Sequence, residues 1–163
     1  EGTVAPRDRS RMASQPYIFD TAPEYVIVGG VVFSELSRQF LREWGPNWPR
    51  EAPLKLVYLD RFQNELPPDR GKIVFISSVL PGPETMGYED LSGEVVEEVN
   101  GKPIRSLADL AAAFDNPSGE FHRIKLADDP GLIVLDVEGS KAAEERVKQE
   151  YGLPSLRRLE PQK

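Results

Sequence analysis

Cysteine is absent from this 163-residue chain, and histidine occurs once, as His122. Without cysteine there is no disulfide, no thiol nucleophile and no cysteine-based zinc site. Basic residues are fewer than acidic ones, 20 against 27, so the net charge is -7, and no basic stripe stands out. Such a chain repels a phosphate backbone more than it attracts one, and we predict no nucleic-acid partner.

Long apolar runs are also missing. The longest, residues 26–33, has eight residues and includes Gly29 and Gly30. A helix needs roughly 20 apolar residues to cross a bilayer, so we predict a strand here and no membrane span. The chain begins with Glu1 and has no apolar signal core near it. We therefore expect a fragment of a longer protein, with any targeting signal outside it.

Residues 1–23 contain three prolines and few large apolar side chains, which predicts a linker or peripheral strap pinned at its end by Tyr17, Ile18 and Phe19. Residues 24–163 are predicted to form one domain, since 39% hydrophobic content is enough for a core. The first part of the domain is predicted to be β-strand, interrupted by two glycines. One helix is predicted over residues 36–44, ending at Gly45.

Further along, the pattern indicates several more elements. Residues 46–53 are rich in proline and predict a loop, and the alternation in residues 54–62, LKLVYLDRF, predicts a strand. FHRIKLADD from residue 121 predicts an alternating strand, and GLIVLDV from residue 131 predicts a more deeply buried one. A polar helix is expected over residues 140–151, closed by Gly152. Its packed side chains are predicted to be Ala143, Val147 and Tyr151.

The stretch 72–114 is the most informative. Val74 and Ile76 share one face of a predicted strand, with Phe75 on the other. After a turn and a second strand, Asn100-Gly101 supplies residues that tolerate the positive φ of a tight hairpin. Ser106 then caps a helix whose apolar face carries Leu107, Leu110, Ala111 and Phe114.

Two motifs in this stretch carry a resemblance: Ser78-Val79-Leu80-Pro81 and Asn100-Gly101-Lys102-Pro103-Ile104. With the VIVGGVVF entry and the closing Gly-Leu-Pro-Ser, they resemble the last PDZ domain of HtrA/Deg-type (protease Do-like) trypsin-like serine proteases, over residues 16–159. The resemblance implies an α+β fold: a small, strongly bent antiparallel sheet or partial barrel with two core helices. It also implies an insertion at 46–71 and an added strand-helix unit at 131–159.

The resemblance further implies a peptide groove. Gly29-Gly30-Val31-Val32 would take the place of the carboxylate-binding loop, and the strand from Val31 through Phe33 would be the edge to which a peptide adds. Leu107, Leu110, Ala111 and Phe114 would form the opposite wall. The sequence departs from the family loop at Gly29, where a large apolar residue is usual. The competing interpretation is that the two glycines mark a β-bulge or a close backbone contact and that the helix face is simply core.

A catalytic role has little support in the sequence. His122 lies within an alternating strand, and there is no Gly-Asn-Ser-Gly-Gly nucleophile element like that of the related proteases. Glu97-Glu98 and Asp128-Asp129 are adjacent pairs, and adjacent residues on a strand point to opposite faces. We therefore predict no catalytic residue, no metal site and no cofactor.

Two functions remain open. By resemblance, the chain is a non-catalytic regulatory PDZ domain that acts in subunit assembly or in regulation of proteolysis, with the 46–71 insertion and the C-terminal helix contacting neighbouring subunits. The alternative is a peptide-binding module that captures substrate C-termini or unfolded hydrophobic segments by β-strand addition. The resemblance also implies a role in protein quality control and a periplasmic or otherwise extracytoplasmic location.

Overall fold

The computed structural model describes residues 12–15, 22–67, 69–128 and 130–159. The linker or strap predicted over residues 1–23 lies mostly outside this part of the chain, as do Tyr17, Ile18 and Phe19. Residues 12–15 pack against the domain: the N–H of Gln15 donates to the carbonyl of Leu36, and the N–H of Ile73 donates to that of Ala13. This short segment is therefore an ordered part of the fold.

Within the described residues, eight strands form two four-stranded antiparallel sheets. The first sheet has the order β3-β2-β1-β8, and the second has the order β5-β4-β6-β7. An antiparallel bridge between Phe75 and Val95 links them. The strands are β1 Tyr25–Val28, β2 Val31–Glu35, β3 Val74–Val79, β4 Val96–Val99, β5 Lys102–Pro103, β6 Phe121–Leu126, β7 Leu132–Asp136 and β8 Arg157–Arg158.

Five α-helices accompany the sheets in the same part of the chain. They are α1 Arg38–Leu41, α2 Trp48–Glu51, α3 Leu54–Arg61, α4 Leu107–Asp115 and α5 Val137–Tyr151. A 3-10 turn, Arg42–Trp44, continues α1 until Gly45, whose φ of 79° ends it. Together with the sheets, these helices confirm the predicted α+β fold class.

The strand β3 separates two hydrophobic clusters. Val74 and Ile76 belong to the main cluster, which also contains the buried face of α4, whereas Phe75 belongs to a second cluster under α1 and α3. The predicted two-faced strand is confirmed. The Asn100-Gly101 hairpin is also confirmed, with φ values of 52° and 77°. Side-chain oxygens cap the two longest helices: Ser106 accepts from the N–H of Asp109, and Asp136 accepts from that of Gly139.

The strand predicted over residues 54–62 is wrong, because this segment contains the helix α3. Its buried residues, Leu56, Val57 and Asp60, have helical spacing. Asp60 is buried because it has partners: Ser14 Oγ donates to its Oδ1 at 2.7 Å, and Arg38 Nε lies 3.2 Å from the same atom. These partners hold the inner side of α3 on the domain.

The C-terminal unit differs from the prediction in two details. β7 is not deeply buried, since its side chains alternate between exposed and buried. The helix α5 begins earlier than predicted, at Val137, although it ends as expected at Gly152. Ala143 and Val147 are buried, whereas Tyr151 is exposed because it lies at the last turn.

Candidate peptide-binding groove

Gly29 and Gly30 form the two-residue turn between β1 and β2, closed by the pair Val28 and Val31. Both glycines have positive φ, 55° and 88°, which side chains rarely tolerate. The turn is also covered from outside. A Cβ on Gly29 would lie 2.8 Å from Ser140 Oγ, and one on Gly30 would lie 3.1 Å from Thr85 Cγ2. The competing interpretation of a close backbone contact therefore describes this turn.

The strand β2 is an interior strand and not the sheet edge that the resemblance implies. Val26 pairs with Phe33, and Val32 pairs with Ile27 on β1 and with Ser78 on β3. The pairing arises because the double glycine reverses the chain within two residues. β1 thus lies antiparallel along β2, in the position that an added peptide strand would take.

The far side of β1 is covered as well. Tyr25 pairs with Arg158 on β8, and the N–H of Ile27 donates to the carbonyl of Leu156 at 2.8 Å. Tyr25 also donates from its hydroxyl to the carbonyl of Ser155. The predicted C-terminal extension, residues 131–159, therefore holds β1 in place from the side opposite β2.

The predicted helical wall lies in the core. All four of its members are buried, and they share one cluster with Val26, Val28, Val31 and Phe33. Phe33 and Phe114 contact each other with ring centroids 5.5 Å apart. β1 also contacts α4 directly. A ligand-binding role for Gly29 through Phe33 and for this helix face stays a prediction, and it requires a conformation in which β1 has left its place.

Glu35, at the end of β2, carries no sequence signal that marks it as functional. Its Oε1 accepts the N–H of Leu107 at 2.9 Å, and its Oε2 accepts from Gln15 Nε2 at 2.6 Å. Burial raises the pKa of Glu35, against the lowering effect of the Leu107 N–H. The first turn of a helix has free N–H groups, but sequence alone gives no distance between this carboxylate and the helix. Glu35 thus joins the N-terminal segment to α4.

His122 is buried in β6 and lies edge-on to Phe114, with ring centroids 4.9 Å apart. The amide of Asn100 is oriented by its own partners, since its Nδ2 donates to the carbonyl of Ala113 and its Oδ1 accepts from the N–H of Arg123. Asn100 Nδ2 also lies 3.2 Å from His122 Nδ1. Because an amide nitrogen donates, Nδ1 is the acceptor. Burial lowers the pKa of His122, and Lys141 adds to the effect. These contacts are those of a neutral core histidine.

The helix α3 and the residue after it carry a ridge of exposed apolar side chains, which we call the α3 ridge. It consists of Leu54, Tyr58 and Phe62, exposed by 80%, 54% and 41%. The spacing of four residues places them on one side of the helix, opposite its buried face. The rings of Tyr58 and Phe62 lie 4.6 Å apart. A strand would also place these three residues on one face, but together with Leu56 and Asp60. The helix turns Leu56 and Asp60 inward, so the exposed ridge is visible only in the folded structure.

Within the described ranges, no group of three or more histidine, aspartate or glutamate side chains is placed to hold a metal ion. None of the helices described is both long enough and apolar enough to span a bilayer.

A family model described as "PDZ domain" matches residues 15–158. Protease Do-like 2, chloroplastic, of Arabidopsis thaliana is 33% identical over 151 residues, which cover 91% of this chain and 24% of that protein. Protease Do-like 11, mitochondrial, of the same plant is 27% identical over 138 residues, or 85% of this chain and 20% of that protein. The chain therefore spans about a quarter or less of the length of these relatives.

Proposed function

We propose a regulatory, non-catalytic function for this chain, which belongs to the PDZ domain family and is related to Do-like proteases. In this proposal it contributes to the assembly of protease subunits or to the control of proteolysis, and the proteolytic chemistry belongs to another part of the parent protein. The observation that carries the proposal is the position of β1, which pairs with β2 where a peptide ligand would add. The buried, hydrogen-bonded state of His122 supports a role in packing.

Displacing β1 would be costly. Val26, Ile27 and Val28 are all buried. Exposing a buried aliphatic side chain costs roughly 1.5–3 kcal/mol, so freeing the strand costs on the order of 5–9 kcal/mol before its hydrogen bonds are counted. An incoming peptide must offset that amount. The free-energy cost of displacing β1 therefore favours assembly over capture of peptides at β2.

The α3 ridge is the surface that we assign to assembly. Isolated exposed apolar residues are common on proteins, but three large ones in a row on an added segment are typical of a contact surface. Leu54 is the most exposed of them. Its burial against a neighbouring subunit would contribute to association in proportion to the apolar area covered.

The test uses the full-length protease with Leu54→Ser, and Met86→Ser as its matched control. The two side chains are similarly exposed, at 80% and 77%, but Met86 lies outside the ridge. Subunit association is measured by sedimentation velocity across a concentration series. We expect Leu54→Ser to weaken association by about tenfold, because one buried leucine contributes at least that much. Equal association in the two variants would refute the role of the ridge.

Peptide capture at β2 is the alternative, and its support is membership of the PDZ domain family. A disulfide between Ile27→Cys and Val32→Cys tests it, because these residues are cross-strand partners and the chain has no other cysteine. The 163-residue chain is titrated with peptides that end in a free carboxylate, in the oxidised and the reduced form. We expect neither form to bind. Saturable binding by the reduced form alone would show that β1 leaves and would favour capture.

We also propose a compartment outside the cytosol for the parent protein. The support is the location of the two relatives, one chloroplastic and one mitochondrial. Imaging of the tagged full-length protein would distinguish an organelle from a bacterial periplasm. A cytosolic signal would contradict the proposal.

A further inference from the structure

Four strands lie at the edges of the two sheets: β3, β8, β5 and β7. The outer side of β3 is already bonded, since the N–H of Ile76 donates to the carbonyl of Glu94 and its carbonyl accepts from Gly93. β5 and β8 have two residues each, and β5 ends in Pro103, which has no N–H. Among the described strands, β7 is therefore the longest edge strand whose outer side is not bonded to another backbone segment.

One side chain occupies the middle of the β7 edge. The hydroxyl of Tyr88 donates to the carbonyl of Val134 at 3.1 Å and accepts the N–H of the same residue at 3.4 Å. A single hydroxyl thus makes both contacts that a residue of a neighbouring strand would make. Backbone groups alternate along an antiparallel strand, so those of Leu132 and Asp136 point to the same outer side.

Two of the three solvent-facing side chains of β7 are apolar, and the third is Asp136. Leu132 is 51% exposed and Val134 is 37% exposed, and Phe121 on β6 extends the apolar surface. The charged residues closest to the edge in sequence are acidic: Glu89 and Asp90 follow Tyr88, and Asp136 ends β7. Arg123 and Lys125 lie one strand further in, opposite Val134 and Leu132. Lys125 is paired with Glu97 and Glu98. An extended strand with alternating apolar and basic residues fits both the apolar row and the acidic surroundings.

We propose that the β7 edge is a second strand-addition site, that it takes an extended peptide with alternating apolar and basic residues, and that Tyr88 closes it when empty. The proposal is separate from assembly through the α3 ridge, because the two surfaces lie on different elements. Main-chain hydrogen bonds would supply affinity, and the alternating side chains would supply selectivity. A second copy of this chain fits less well, since its net charge is -7 and pairing two β7 edges would bring both acidic loops together.

The probe is a fluorescein-labelled, amidated heptapeptide of sequence Val-Lys-Val-Thr-Val-Lys-Val, and a matched peptide carries glutamate in place of lysine. Because the probe has no free carboxylate, carboxylate capture at the glycine turn cannot explain its binding. Fluorescence anisotropy is recorded with the unmodified chain, Tyr88→Phe and Tyr151→Phe. We expect Tyr88→Phe to bind the lysine probe about tenfold more tightly than the unmodified chain does, because it lacks the hydroxyl that occupies the backbone groups of Val134. Tyr151→Phe should match the unmodified chain, and the glutamate peptide should bind at least tenfold more weakly.

Two measurements locate the binding. Val134→Pro removes only the outward N–H, so it should abolish binding while circular dichroism stays unchanged. In the unmodified chain, the bound probe should slow hydrogen exchange at the amides of Leu132 and Val134. Absence of saturable binding to both the unmodified chain and Tyr88→Phe would overturn the proposal, as would binding without protection in β7. Self-association of Tyr88→Phe in place of probe binding would make a second copy the occupant and also overturn it.

Discussion

The substitution Gly29→Ala tests how tightly the C-terminal extension covers the β1–β2 turn. With φ at 55°, an alanine here adopts a left-handed conformation that costs about 1–2 kcal/mol. Its Cβ would also lie 2.8 Å from Ser140 Oγ and 3.4 Å from Ser140 Cβ. Overpacking of this kind costs about 1–3 kcal/mol. The expected loss is therefore on the order of 2–5 kcal/mol, a large part of the stability of an ordinary domain.

A double-mutant cycle separates the two contributions. The hydroxyl of Ser140 is buried and has no hydrogen-bond partner among the described residues, so Ser140→Ala alone should be neutral or slightly stabilising. Combined with Gly29→Ala, it should recover about 1–2 kcal/mol of the loss and leave the backbone strain in place. Urea unfolding of the four proteins gives the values. If Gly29→Ala costs the same in both backgrounds, α5 does not press on the turn and the reasoning fails.

Substitutions at three further positions give expected outcomes. The pKa of Glu35 is raised in the folded chain, so its contribution to stability is full below the unfolded pKa of 4.5 and is lost as pH rises. The stability of Glu35→Gln relative to the unmodified chain should therefore increase between pH 4.5 and 7, as measured by urea unfolding. The pKa of His122 is lowered, so its contribution to stability is full above pH 6.5 and is lost as the pH decreases. His122→Gln should therefore make the melting temperature less dependent on pH between pH 6.5 and 5. Asn100→Ala should lose about 1 kcal/mol more than Asn100→Gly in chemical unfolding, since φ at this position is 52°; equal losses would contradict this.

Sequence reasoning succeeded where a local signal decides the structure. Val74, Phe75 and Ile76 alternate within one strand, and the two sides do face different clusters. The hairpin at Asn100 and the helix cap at Ser106 each depend on the backbone preferences or side-chain oxygen of a single residue. Such features are formed by neighbours in the chain and need no knowledge of tertiary contacts.

Sequence reasoning failed where contacts between residues far apart in the chain decide the structure. The segment LKLVYLDRF alternates well enough to predict a strand, but Asp60 within it is buried by contacts with Ser14 and Arg38. Those contacts cross tens of residues, and only the folded chain brings them together. Glu35 illustrates the same point, since its partners Gln15 and Leu107 lie on opposite sides of it in sequence.

The expectation that the strand from Val31 lies at a sheet edge failed for a related reason. Two glycines between apolar residues are a hairpin signal, and a hairpin at this position makes an open edge at Val31 less favourable. What the sequence could not show is that the C-terminal extension covers both the turn, through Ser140, and the free side of β1, through Leu156. The two predicted additions to a simple PDZ domain thus act in different ways: the extension holds β1 where a peptide would pair with β2, and the insertion adds the exposed ridge that begins at Leu54. In the proposed function, partners therefore bind the outer surface of the domain, because β1 already pairs with β2.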